Sequence, residues 1–259
     1  MLPFIDVFGL NIPMYGLMMA IGFIGGSTIA YIRARRVGLI GENLIIILAC
    51  ALGCAILGGG LLYVLVTYTP TEIIALIKEG NWNAMTGIVF YGALIGGTLG
   101  AFLGSAIAGD DIRNYLDVVV PIVPLGHAFG RIGCFCAGCC YGRPTDSIIG
   151  VIYTQAVGGA PPGVRLLPVQ LFEAGADIII FLILISVSAK TKSRYLTTCL
   201  YCILYGIARF ILEFYRYDSI RGIAAGLSTS QWISIAMVAG GVVGLVMIYS
   251  KSSGQRLRS

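Results

Sequence analysis

Seven apolar stretches, at about residues 12 to 32, 43 to 67, 86 to 108, 114 to 136, 168 to 188, 195 to 215 and 230 to 250, leave this chain few folds to choose from. Each is long enough to cross roughly 30 Å of hydrocarbon as a helix. In lipid a helix satisfies every backbone N–H and C=O within its own segment. The expected fold is an all-α integral membrane protein of about seven transmembrane helices, organised as one polytopic domain over residues 1–259.

Composition supports this, because only 11% of the residues are charged and 58% are hydrophobic, against roughly 25% charged in a soluble domain. The first stretch follows Met-Leu-Pro-Phe-Ile-Asp rather than a basic leader, and no small-residue cleavage pattern closes it. It reads as a retained helix.

Loop charges set an expected orientation. Arg33, Arg35, Arg36, Arg113, Lys190, Lys192, Arg194, Lys251, Arg256 and Arg258 fall on one side, and Lys78, Arg143, Arg165, Arg216 and Arg221 on the other. The richer side is expected to be cytoplasmic, with the N-terminus outside and the C-terminus inside. The net charge of +5 is then an orientation and headgroup signal, and nothing points to a nucleic-acid partner.

Two loops carry irregular sequence. Residues 70–79 in the first read as a short amphipathic helix on the membrane surface. Gly158, Gly159, Pro161, Pro162 and Gly163 make the second turn-rich, which suits a loop covering a site. Gly92, Gly96 and Gly100 in the third span, and Gly126, Gly130 and Gly133 in the fourth, give each helix a flat side for close packing.

Chemistry concentrates on a few stripes. His127, Arg131 and Cys134 are spaced i, i+4, i+7, so the only histidine, a cation and a thiol share one helical face. The histidine is either a packing residue or a general base, and burial beside an arginine favours the neutral imidazole that a base requires. Tyr205, Arg209, Glu213 and Arg216 form a second stripe in the sixth span. Arg209 with Glu213 is either a structural ion pair or, together with Arg131, part of a clamp on one anionic headgroup held by bidentate guanidinium contacts. Gln170 and Glu173, at the mouth of the fifth span, suit orienting those arginines or binding substrate hydroxyls, while Glu173 also suits a helix start. Asp177, one turn further in, needs a partner. Cys134, Cys136, Cys139 and Cys140 spell C-x-C-x2-C-C, open to a metal, a disulfide or free thiols.

These residues also carry a resemblance. Pro13-Met-Tyr-Gly-Leu-Met, the segment Gly87 to Gly97, Gly130-Arg-Ile-Gly-Cys-Phe continuing to Gly142, Arg143 and Thr145, Pro168-Val-Gln-Leu-Phe-Glu173, the segment Arg209 to Arg216, and Leu227-Ser-Thr-Ser-Gln231 follow one another along the chain. In that order they resemble the motifs of the prolipoprotein diacylglyceryl transferases, bacterial inner-membrane enzymes that move diacylglyceryl from phosphatidylglycerol to the lipobox cysteine of a lipoprotein precursor. The departures fall on polar positions: Tyr91 stands at the family's motif histidine, Cys134 at its signature asparagine and Cys139 at a signature glutamate.

The resemblance implies displacement at a glycerol carbon by a substrate thiolate, with glycerol phosphate leaving and no cofactor. It implies that Arg131, Arg143 and Arg209 handle phosphate, that Glu173 and Glu213 orient them, and that His127 or Tyr91 takes the proton. Tyr15, Gln170 and Tyr205 complete the implied substrate-binding set. Phosphatidylglycerol, membrane lipid and lipoprotein precursor peptides are the implied partners in a bacterial cell membrane. Two other readings stay open: a relative that uses the cysteine cluster for metal or thiol redox chemistry, and a lipid-binding protein without turnover.

Overall fold

The computed structural model describes residues 2–191, 193–217 and 223–256. Lys192, Arg221 and Arg258, which enter the loop-charge comparison, lie outside the described residues. Among the described residues, seven helical segments are long and apolar enough to cross a membrane, at Met14–Arg36, Gly41–Thr67, Phe90–Ala108, Ile112–Ala137, Val169–Lys190, Leu196–Glu213 and Thr229–Ser250. The protein is an all-α integral membrane protein. Its large apolar side chains point outward, with Leu57 72% and Val246 62% exposed, while Gln170, Glu173, Asp177 and Arg216 are buried. Lipid as the outer solvent reverses the usual distribution of polar and apolar groups.

Packing separates two compact units, Tyr31–Tyr115 and Met1–Ala30 with Leu116–Ser259. The first unit holds the end of α1 (Met14–Arg36), α2 (Gly41–Thr67), α3 (Pro70–Lys78) and α4 (Phe90–Ala108). Gly92, Gly96 and Gly100 of α4 lie against Gly58, Cys54 and Cys50 of α2, and a Cβ added at Gly58 would sit 2.6 Å from the Gly92 carbonyl oxygen. Backbone meets backbone there, as the glycine spacing predicts. The surface helix also forms: α3 starts on a capping box, the Thr69 amide donating to Glu72 Oε2 at 2.8 Å, with Pro70 in its first turn. After α4 the Asp110 carboxylate accepts from the Tyr115 hydroxyl at 2.7 Å, from Asn43 Nδ2 at 3.2 Å and from the Asp111 amide at 2.7 Å.

The second unit opens with a hairpin, β1 (Phe4–Val7) against β2 (Leu10–Pro13), that leads into α1. Its fourth apolar stretch is a broken helix rather than a straight one. Pro121 and Pro124 lack the N–H groups a continuous helix needs, so α5 (Leu116–Val119) passes through a 3-10 turn at Val120–Ile122 before α6 (Val123–Ala137) begins. The glycine face of α6 meets α1, where a Cβ at Gly133 would lie 3.1 Å from the Tyr15 ring and one at Gly130 would lie 3.1 Å from Met19 Sδ.

Residues 138–168 form the turn-rich segment. A short pair, β3 (Val151–Ile152) with β4 (Arg165–Leu166), and the bridges Gly142 to Arg216 and Pro144 to Leu166 organise it. Tyr153 and Leu166 are buried beneath it, with Phe135 and Tyr141 packed alongside. Three further helices follow: α7 (Val169–Lys190), α8 (Leu196–Glu213) and, after the pair β5 (Ile223–Ala224) and β6 (Leu227–Ser228), α9 (Thr229–Arg256).

Candidate active site

Glu173 lies in the second turn of α7, 5% exposed, and three cations reach it. Arg131 Nε of α6 meets Oε2 at 2.6 Å, a charge contact outside hydrogen-bond geometry. Arg209 Nη1 of α8 donates to Oε1 at 2.8 Å, and Arg216 Nη1, three residues beyond α8, donates to the same oxygen at 3.3 Å. Arg209 Nη2 in turn meets Glu213 Oε2 at 2.6 Å and donates to Ser230 Oγ of α9 at 3.1 Å. Four helices thus contribute to one polar cluster with three guanidinium groups and two carboxylates, an excess of one positive charge.

A small, partly open cavity lies beside this cluster, lined by Arg131, Glu173, Asp177, Tyr205, Arg209 and Leu212 among others. Among the described residues, no protein acceptor meets the Nη groups of Arg131, which is held through Nε alone. Those donors are the ones a bound phosphate oxygen can use. Asp177 also faces the cavity, 4% exposed, and no described cation forms a direct ion pair with it.

The other predicted residues fall in different surroundings. His127 lies one turn before Arg131 but does not line the cavity. Its buried Nδ1 has no hydrogen-bond partner, and its ring leans on Tyr205 with centroids 5.3 Å apart. Tyr205 connects the two features, because it lines the cavity and also stacks on Tyr201 at 5.4 Å. Tyr15, second residue of α1, packs on Gly133 within electrostatic reach of Arg131, Cys134, Cys139 and Cys140.

Gln170 is fully buried and turns away from the arginines: Nε2 donates to the Cys139 carbonyl at 2.6 Å and to the Tyr153 hydroxyl at 3.0 Å. Arg143 is exposed, its backbone tied between the Tyr215 carbonyl and the Leu167 amide, each at 3.0 Å. Tyr91 belongs to the other compact unit, near the start of α4, 48% exposed with its ring against Phe90. Two further residues join the cluster: Arg216, which the helical stripe from Tyr205 signals, and Ser230, within the motif that ends at Gln231.

The cysteines separate into two groups. The sulfurs of Cys134, Cys139 and Cys140 all lie within 4.8 Å of one another, and Cys136 is not among them. Cys139 Sγ donates to the Cys134 carbonyl oxygen at 3.7 Å.

Guanidinium groups fixed around carboxylates at a cavity among membrane-spanning helices define a polytopic membrane protein equipped to hold an anionic group. Sequence comparison identifies which one. The chain belongs to the prolipoprotein diacylglyceryl transferase family, whose model matches residues 3–247. It is similar to phosphatidylglycerol–prolipoprotein diacylglyceryl transferase 2 of Clostridium perfringens (strain 13 / Type A), 39% identical over 239 residues, covering 92% of this chain and 91% of the relative. The phosphatidylglycerol–prolipoprotein diacylglyceryl transferase of Clostridium tetani (strain Massachusetts / E88) is 37% identical over 239 residues, 92% of this chain and 93% of that one. That of Dehalococcoides mccartyi (strain ATCC BAA-2266 / KCTC 15142 / 195) is 31% identical over 231 residues, 89% and 86% respectively.

Proposed function

We propose that the protein transfers the diacylglyceryl group of phosphatidylglycerol to the cysteine thiol of a prolipoprotein, in a bacterial membrane that it crosses several times. The observation that carries this reading is the cluster of arginines held by Glu173 beside a cavity, in a chain whose relatives bear that activity in their names. The acceptor thiolate attacks the glycerol carbon esterified to phosphate, the carbon–oxygen bond breaks, and glycerol phosphate departs with the electron pair.

Negative charge builds on the leaving phosphate, so fixed cations lower the barrier more than they stabilise the ground state. Arg131 and Arg209 take that role, and Glu173 and Glu213 aim them. Tyr205, Tyr15, Arg143 and Gln170 shape the substrate path, Gln170 through the loop it pins. His127 or Tyr91 takes the proton of the acceptor thiol. Both compact units serve one functional domain, with the N-terminus outside and the C-terminus cytoplasmic, an arrangement that reporter fusions at the two ends would test.

The decisive experiment incubates the purified protein in detergent with phosphatidylglycerol and a lipobox peptide. Mass spectrometry is expected to find a diacylglyceryl thioether on the peptide cysteine. Unmodified peptide, with folded protein that binds the lipid, would overturn the reading.

A further inference from the structure

Three sulfurs converge where α6 ends. Gly138 caps the helix in the left-handed region at φ +74°, and Cys140 follows at φ +60°, a conformation that costs an L-residue about 1–2 kcal/mol. That turn folds Cys139 and Cys140 back toward Cys134, so all three Sγ atoms lie within 4.8 Å of one another. The turn is held from two sides. Gln170 donates to the Cys139 carbonyl at 2.6 Å, and Gly158 packs so tightly on Cys139 that an added Cβ would lie 2.5 Å from the cysteine Cβ.

The donor set is soft, being all sulfur, and soft thiolates select d10 ions such as zinc. Zinc takes each sulfur at about 2.3 Å, which sets tetrahedral sulfur–sulfur distances near ~3.8 Å, so closing this triad needs movements of roughly 1 Å or less. Three thiolates and one zinc(II) carry one net negative charge. Arg131, one turn before Cys134 on α6, and Arg216, bridged through its backbone to Gly142, bring positive charge to that place. Three protein ligands leave one tetrahedral position open, which is how catalytic rather than structural zinc sites are made.

We propose that Cys134, Cys139 and Cys140 bind one zinc(II) ion whose open fourth position takes the acceptor thiol. The second half rests on the transferase reading. The acceptor S–H gives up its proton on coordination, because a zinc-bound thiol is deprotonated, and His127 or Tyr91 takes it. The zinc-bound thiolate then forms the carbon–sulfur bond to the glycerol carbon as the carbon–oxygen bond breaks. Glycerol phosphate leaves with the electron pair, and the thioether product, a neutral and weaker ligand, leaves the metal.

The test begins with protein purified in detergent without chelator. Elemental mass spectrometry is expected to find about one zinc per chain, falling at least tenfold in each of C134S, C139S and C140S but kept in C136S. The cobalt(II)-substituted wild-type protein supplies a readout independent of variant folding. Its thiolate charge-transfer absorption should rise by about a third, from three thiolates to four, on adding the lipobox peptide, and should not change with a serine peptide.

Protein that transfers lipid with less than a tenth of a zinc per chain overturns the site. So does zinc that survives all three substitutions, or a disulfide between any two of the three cysteines in the protein as purified. An unchanged cobalt spectrum with the cysteine peptide overturns the open fourth position. Zinc bound through these cysteines with no lipid transfer overturns the transferase reading and leaves the metal site standing.

Discussion

Arg209 Nη1 donates to Glu173 Oε1 at 2.8 Å, and the two side chains are 11% and 5% exposed. Arg209 belongs to α8 and Glu173 to α7, and the same carboxylate holds Arg131 of α6. One acidic group therefore sets the mutual position of three cations, on α6, on α8 and on the turn that follows α8. A carboxylate in lipid surroundings is costly alone, and here three partners offset that cost.

Replacing Glu173 should accordingly be worse for the fold than replacing any one arginine. Glu173→Ala leaves buried guanidiniums without their counter-charge, at about 3–5 kcal/mol. A lower melting temperature in detergent and loss of lipid transfer are expected, with Glu173→Gln retaining the shape and part of the stability. A melting temperature equal to wild type would show that Glu173 does not hold the cluster together.

Arg131→Ala and Arg209→Ala should each slow transfer by roughly 100- to 1,000-fold, the scale expected when one preorganised donor is removed from a developing anion. Lysine should restore little at Arg209, where one guanidinium serves Glu173, Glu213 and Ser230 together. Steady-state rates on folded variants decide the matter, and rates within a factor of two of wild type would remove both residues from the chemistry.

Gln170→Leu should act through the loop rather than through the cavity. It leaves the Cys139 carbonyl without its 2.6 Å donor, a loss of about 1–3 kcal/mol for a buried acceptor. Faster hydrogen exchange over residues 138–142 is the expected signature. Exchange unchanged there, with transfer abolished, would instead point to direct contact between Gln170 and substrate.

Asp110 gives a pH dependence with a definite sign. Hydrogen bonds from the Tyr115 hydroxyl, then from Asn43, hold its carboxyl below the ordinary aspartate range. A group depressed in the folded state contributes its full stability above the unfolded value of about 3.9 and loses it as the pH falls through the folded value. Asp110→Asn should therefore melt below wild type at pH 7, with the gap narrowing in acid. A gap that stays constant from pH 7 to pH 3 would contradict this.

Much of this arrangement is legible in the sequence, and the reason differs from one residue to the next. The seven spans follow from apolar length, and the seam of Gly92, Gly96 and Gly100 follows from helical spacing, because both are local properties. Glu213 pairs with Arg209 one turn away on the same helix, so that contact too is written locally. The hub at Glu173 is not, since its partners come from positions 131, 209 and 216, and only folding says which carboxylate they share. Gln170 shows the same limit: its polarity marked it as important, but the acceptor it serves lies 31 residues away on a loop. The break in the fourth span was readable from Pro121 and Pro124, yet apolar length alone gives one uninterrupted helix.

The Arg131 to Glu173 pair also bears on how the protein is made. Synthesis runs from the N-terminus, so α6 leaves the ribosome before the carboxylate that neutralises its arginine exists. Arg131 lies toward the end of the Ile112–Ala137 span, and an arginine without its counter-charge there still opposes insertion. The charge pair that neutralises Arg131 therefore forms only once the fifth span lies beside the fourth.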